Sequence, residues 1–307
     1  MMASGVPCVP GWVDRQVYPF QSHWAGVAGS RIHYIDEGAG DIVLFVHGTP
    51  TWSFEFRHLI KAFAPTHRCI AVDHLGFGLS DRPSGADYSP KAHADRLAAF
   101  VKHLALDRFT LVVHDYGGPI GLPLALATPS PVEKLVLLNT WMWPLDDDRE
   151  IVRRGKLVGG WIGRFLYRYA NASLWLLMPS AYGDRKKLTK TIHRHYLEVF
   201  RDPRARVDVL HVLARALLES RTYYATLYAQ AERLRDIPAL IVWGMKDTAF
   251  QPHQLERWQS LLPAAKVCRI ESAGHWPHEE EPAAVIQAMT TFLAGPAVTA
   301  ELGRAAG

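Results

Sequence analysis

The segment Thr110 to Gly121, TLVVHDYGGPIG, runs an apolar, β-branched stretch straight into His114, Asp115, Tyr116 and a glycine pair. That pattern resembles a nucleophile elbow. In such a turn a strand passes tightly into a helix, and one side chain is lifted over the sheet edge beside the helix N-terminus. The nucleophile position holds a carboxylate, Asp115, and the helix start helps to keep it ionised at neutral pH. An aspartate that N-caps the following helix accounts for Asp before Gly-Gly equally well. Taken alone, the motif is divided between the two readings.

Two other groups shift the balance. Asp247 follows the apolar run Ala239 to Trp243, at the carboxyl end of an expected strand, where it can orient a histidine. His275 follows the next expected strand, within Ser272-Ala273-Gly274-His275-Trp276-Pro277. Nucleophile, acid and base then occur in the chain order of one known triad architecture. Singly, each residue reads as a loop or cap residue; jointly, order and strand-end placement favour catalysis. His47-Gly48-Thr49-Pro50 follows the run Ile42 to Val46, and the backbone amides of Thr49 and Tyr116 are the expected oxyanion donors. His47 itself reads as structural.

Five segments, HGTPTWSFEFR, VDHLGFGLSDRP, VVHDYGGPIG, GMKD and AGHWPHEEEP, together resemble the haloalkane dehalogenase family of α/β-hydrolases, from about Tyr18 to Leu293. The resemblance implies Asp115 as nucleophile, His275 as general base and Asp247 as the acid that orients it, with no metal and no organic cofactor. A carboxylate nucleophile suits attack on a saturated carbon bearing a leaving group, which leaves an ester on Asp115. Water activated by His275 would then break that ester.

The departures concern the leaving group. Such dehalogenases usually place a Trp directly after the nucleophile, and often an Asn in the HGxP turn or a second Trp in the cap. Here Tyr116 and Thr49 stand at those positions. Trp141 is the expected replacement donor, with Trp143, Trp161 and Trp175 as further candidates, although aromatic packing explains each of them more simply. Relatives with the same triad open epoxides with cap tyrosines, for which Tyr167, Tyr169, Tyr182, Tyr196, Tyr223, Tyr224 and Tyr228 are available. Others process β-lactones, and the segment NTWMWP, Asn139 to Pro144, is nearer to that branch.

Short β-branched runs alternating with amphipathic segments must position these groups, which is the pattern of a mainly parallel sheet with helices on both faces. Expected strands are Ile42 to Val46, Cys69 to Val72, Thr110 to Val113, Leu135 to Leu138, Ala239 to Trp243 and Lys266 to Ile270, with an antiparallel start in Ser22 to Asp36. Expected helices are Ser53 to Phe63, Pro90 to Leu104, Gly118 to Ala127, His253 to Leu261 and Pro282 to Leu293. The stretch 143–235 has no strand signal and reads as a helical cap inserted into a core made of 1–142 and 236–307. An insertion there emerges at the carboxyl edge, where such sheets bind ligands. His114, by strand alternation, points away from Asp115 and reads as packing. The Ala/Gly-rich tail from Gly295 is expected to fray.

The chain has 307 residues, enough for about two domains or one domain with an insertion. With 49% hydrophobic and 21% charged residues it can bury a large core, and a net charge of +4 points to neither nucleic acid nor membrane as a partner. Cys8, Cys69 and Cys268 are too few and too scattered for a disulfide framework or a zinc ribbon. The first residues lack a secretory signal pattern, so a cytoplasmic location is the default expectation. The expected partners are a small apolar substrate and water; oligomeric state is not readable. A non-catalytic ligand-binding module has no need of base and acid in register, and an ordinary esterase would carry Ser where Asp115 stands.

Overall fold

The computed structural model describes residues 8–295; the first residues and the tail expected to fray beyond Gly295 lie outside the described residues. Eight strands form one sheet in the order β1-β2-β4-β3-β5-β6-β7-β8. β1 (Ser22–Val27) and β2 (Ser30–Glu37) are the antiparallel start, and β2 also lies antiparallel to β4 (Arg68–Val72). All other neighbours are parallel: β3 (Ile42–Val46), β5 (Phe109–Asp115), β6 (Val132–Thr140), β7 (Ala239–Gly244) and β8 (Lys266–Ile270). Every residue of β5 is buried. A central parallel strand covered on both faces is built mainly from apolar side chains, here Phe109, Leu111, Val112 and Val113.

Helices follow the first three parallel strands: α1 (Arg57–Phe63) after β3, α2 (Pro90–His103) after β4 and α3 (Gly117–Ala125) directly after β5. Ser89 starts α2 by accepting a hydrogen bond from the Ala92 amide, with Pro90 at the first helical position. The helix expected over Ser53 to Phe63 begins as a tighter 3₁₀ turn, Ser53–Phe56, and only then becomes α1. β5 and β6 run further than the apolar pattern suggests, because Asp115 and Thr140 still pair at their carboxyl ends. Polar residues at a strand end escape a hydrophobic window.

Between β6 and β7 the chain is helical, without a strand. Asp148 caps α4 (Arg149–Gly159), accepting from the Glu150 and Ile151 amides; α5 (Trp161–Ala170) ends at Asn171, whose φ is +46°. A π-helical turn, Ser173–Leu177, follows, and then helices Lys190–Val199, Val212–Glu219 and Arg221–Tyr228. No helix among the described residues is long and apolar enough to cross a membrane.

The topology fixes where a ligand can bind. From β3 the chain first adds β4 on one side and then β5 on the other, so the strand order reverses between β3 and β5. Connections diverge at such a point and leave a crevice at the carboxyl ends of the strands. The HGTP turn leaves β3 there, and Asp115 ends β5 there.

Candidate active site

Asp115 sits at φ +50°, a conformation that a non-glycine residue rarely holds without surrounding support. Close contacts provide that support. A β-carbon on Gly117 would lie 2.1 Å from the Val46 carbonyl oxygen, and one on Gly48 would lie 2.2 Å from Asp115 Oδ1. Only glycine lets the elbow and the HGTP turn approach so closely. Thr140 Oγ1 donates to the Asp115 carbonyl oxygen at 2.6 Å and pins the turn from β6.

The Thr49 amide donates to Asp115 Oδ1 at 2.8 Å. Asp115 Oδ2 lies 3.4 Å from Nε2 of His275. His275 Nδ1 is 2.7 Å from Asp247 Oδ2. Asp247 in turn accepts from Asn139 Nδ2 at 2.8 Å and from the Ala249 amide at 2.6 Å. Asp115, His275 and Asp247 are all buried. The three residues predicted from sequence are therefore brought into one line, although they stand on three separate strand ends.

Burial alone would lower the His275 pKa. The Asp247 charge, hydrogen bonds to Asp115 and Asp247, and the Asp115 charge override it and push His275 up to about 10. An imidazole between two carboxylates is thus held as a cation while Asp115 carries its charge. Once Asp115 is neutral, part of that support disappears.

A cavity of about 230 Å³ opens on Asp115, lined by Thr49, Tyr116, Tyr167, Phe250, His275 and Trp276 among others. Two leaving-group expectations change here. The Tyr116 hydroxyl is committed to the Leu213 carbonyl at 2.6 Å, so the ring contributes packing and not a free donor. Trp141 does not line the cavity. It packs edge-on to Tyr116 and stacks on Phe250, behind the two side chains that do line it. Trp143 donates to Gln254, while Trp161 and Trp175 are exposed on the surface. The tryptophan that reaches the cavity is Trp276, with its ring edge-on to that of neighbouring His275 at 4.6 Å between centroids.

The tyrosines sort in the same way. Tyr182 and Tyr196 both donate to Glu279, which also pairs with buried Arg57. Tyr223 donates to the Pro119 carbonyl and Tyr224 to that of Ala216. Tyr169 and Tyr228 are exposed. Of the seven, Tyr167 alone lines the cavity, and burial pushes its phenol up to about 12, so it stays protonated and able to donate.

Sequence reasoning missed two supporting residues. Asn139, at φ +30° near the end of β6, holds Asp247 with its amide nitrogen and the Gly244 amide with its oxygen. Its only signal is an Asn closing an apolar strand. His114 was expected to be packing alone, yet its Nε2 lies 2.8 Å from the His275 carbonyl oxygen and its Nδ1 3.1 Å from Glu55. It does point away from Asp115's side of the strand, and from there it ties down the backbone of the base. His47 is structural, as expected: its Nε2 accepts from the His74 amide.

Comparison with known proteins adds four findings. A family model described as the alpha/beta hydrolase fold matches residues 41–282. Haloalkane dehalogenase 2 of Mycobacterium tuberculosis H37Rv is 35% identical over 271 residues, covering 88% of this chain and 93% of that protein. The cis-3-alkyl-4-alkyloxetan-2-one decarboxylase of Shewanella oneidensis is 33% identical, covering 90% of this chain and 89% of its own length. Among solved structures, the haloalkane dehalogenase DatA from Agrobacterium tumefaciens C58 superposes with a TM-score of 0.78 at 24% identity, over 89% of this chain and 96% of that one, a likeness of fold.

Proposed function

This chain belongs to the α/β-hydrolase family, as a haloalkane dehalogenase-like enzyme, and from that premise we propose that it works through a covalent ester on Asp115, with 143–235 as a cap over the site. The observation that carries this reading is the line from Asp115 through His275 to Asp247 at the floor of an apolar-walled cavity.

Thr49 occupies Oδ1 of Asp115, which leaves Oδ2 to attack. Its lone pair forms a bond to a saturated carbon as the bond from that carbon to the leaving group breaks, and the leaving group departs with the electron pair. Esterification removes the Asp115 charge, so His275 releases its proton to solvent with the departing anion and becomes a base. It takes a proton from water, the hydroxide attacks the Asp115 carbonyl carbon, and charge gathers on Oδ1 against the Thr49 and Tyr116 amides. The tetrahedral species collapses, expelling an alkoxide that takes the proton from His275, and the carboxylic acid left at Asp115 passes its own proton to His275, which restores the carboxylate and the cation. Asp247 holds the ring in the required tautomer throughout, and Asn139 holds Asp247.

A second reading concerns the leaving group. With the Tyr116 hydroxyl committed and Trp141 behind Phe250, the indole that lines the cavity is that of Trp276, which follows His275 in the chain and not Asp115. A strained cyclic ester opens to a weakly basic carboxylate that stays tethered to the substrate and needs less stabilisation. The Shewanella relative, named for action on an oxetan-2-one, accords with this.

Intact-protein mass spectrometry of His275→Gln after incubation with 1-bromobutane tests the ester. The expected result is one added butyl group, mapped to Asp115, while wild type releases bromide. Bromide release by wild type without any adduct in the variant would refute the covalent route. A wild type that consumes a cis-3,4-dialkyloxetan-2-one and releases no bromide would assign the site to the second reading.

A further inference from the structure

The modest net charge of the whole chain conceals a local concentration. From Arg149 to Met178 there are six cations, Arg149, Arg153, Arg154, Lys156, Arg164 and Arg168, against one acid, Glu150. Glu150 pairs with Arg154, and among the described residues Arg153, Lys156, Arg164 and Arg168 have no carboxylate partner. The same stretch carries nearly all the large apolar side chains that the fold leaves exposed. Trp161 is 81% exposed, Tyr169 66% and Phe165 58%, and Leu157, Ile162, Trp175, Leu176 and Leu177 are exposed with them.

These residues are ordered, not scattered. On α5 the buried side is Gly163 and Tyr167, while Trp161, Ile162, Phe165 and Tyr169 fall on the opposite arc of the helix, with Arg164 and Arg168 along one flank. The Phe165 and Tyr169 rings meet at a tilt, 4.8 Å between centroids, and the Arg168 guanidinium lies over the Tyr169 ring. A soluble protein rarely exposes such a group of apolar side chains unless something covers it. The face also borders the active site, since Val158 of α4 and Leu177 of the π-turn both line the cavity.

We infer that this face seats the protein on an anionic lipid bilayer, with α5 lying in the interface. Aromatic residues beside arginines match the chemistry of that layer, in which rings sit among acyl chains and guanidinium groups meet phosphates. A second copy of this chain is the poorer occupant, because a two-fold contact would press the same cluster of cations against itself. Seated in this way, the cavity mouth would face the phase in which apolar molecules concentrate. The inference does not depend on the chemistry proposed for Asp115.

Co-sedimentation of the full chain with vesicles tests it. Binding is expected to vesicles of mixed phosphatidylglycerol and phosphatidylcholine, with little to phosphatidylcholine alone, and release as salt rises. Each cation removed near the surface is expected to weaken binding by roughly fivefold, so Arg164→Glu with Arg168→Glu should lower it by more than about tenfold. Trp161→Ser with Phe165→Ser should do the same while circular dichroism stays unchanged. The inference is overturned if the protein sediments with neither vesicle, if it binds both equally, or if neither double variant alters binding. It is also overturned if light scattering finds a dimer that Trp161→Ser with Phe165→Ser dissolves, which would give the face to a second copy.

Discussion

Replacing Asp115 with Asn mimics the charge of the ester while leaving the shape of the site nearly intact. In the wild type, burial works to lower the His275 pKa, and two carboxylates together drive it up to about 10. The Asn variant removes one of those carboxylates, 3.4 Å from Nε2, and leaves the burial and Asp247 in place. Losing the Asp115 charge and its hydrogen bond should bring His275 down from about 10 toward neutrality. The assay is a proton NMR titration of the His275 Cε1–H in wild type and variant. The stability consequence has a definite sign. A histidine raised in the folded state stabilises the protein fully below its unfolded value near 6.5 and ceases to do so as pH rises through about 10. Wild type should therefore lose stability between those limits, and the variant should lose less of it and at lower pH. Equal titration of His275 in both proteins would refute the claim that Asp115 charge controls the base.

Asp247→Asn should leave the fold intact and slow ester hydrolysis by about 10³ to 10⁴, because the amide favours the wrong imidazole tautomer; single-turnover kinetics should show the ester accumulating. Gly48→Ala would drive a methyl group into the Asp115 carboxylate, only 2.2 Å from the new atom. Turnover should fall by at least about a hundredfold with the circular dichroism unchanged, and near-wild-type activity would contradict the geometry. Arg57→Met leaves Glu279 buried without its cation and should cost about 3 to 5 kcal/mol in urea unfolding. A loss below about 1 kcal/mol would mean that the pair behaves as an exposed one.

The sequence made the sheet legible at its buried centre and at its partly exposed β8 edge alike. β3 and β8 end where the apolar runs end, and the elbow at Asp115 could be read because an unusual backbone needs glycines beside it. Asp247 and His275 followed from chain order and strand ends. The leaving-group side was less readable, because it depends on which way side chains on helices turn. Tyr116 looks like a donor until its hydroxyl is seen on Leu213, and Trp141 until Phe250 is seen in front of it. The seven tyrosines could not be sorted by spacing, since Tyr182 and Tyr196 are spent on a carboxylate about 80 to 100 positions away in the chain. Asn139 and His114 act on backbone and acid groups contributed by distant strands, and no local pattern announces such contacts.

Glu279 links these observations. It lies just past His275, and it accepts from Arg57 of α1 and from Tyr182 and Tyr196, both in the helical stretch between β6 and β7. Glu280 beside it accepts from the Gly274 amide, next to the base, and from the Asp184 amide of the cap. The His275 amide itself donates to the Ala181 carbonyl at 2.8 Å. The loop that carries His275 is thus bonded to the helical stretch between β6 and β7 through buried contacts. Moving that stretch away as a body would take both tyrosine donors from Glu279, which keeps Arg57, and would break the hydrogen bond from the His275 amide to Ala181. Turning partly exposed apolar side chains at the rim, such as Val158 and Leu177, breaks no such contact. Val158 and Leu177 line the cavity at its rim, so bulkier side chains there should slow substrate entry, read as a lower kcat/KM, while the single-turnover rate of the chemistry proposed for Asp115 stays unchanged.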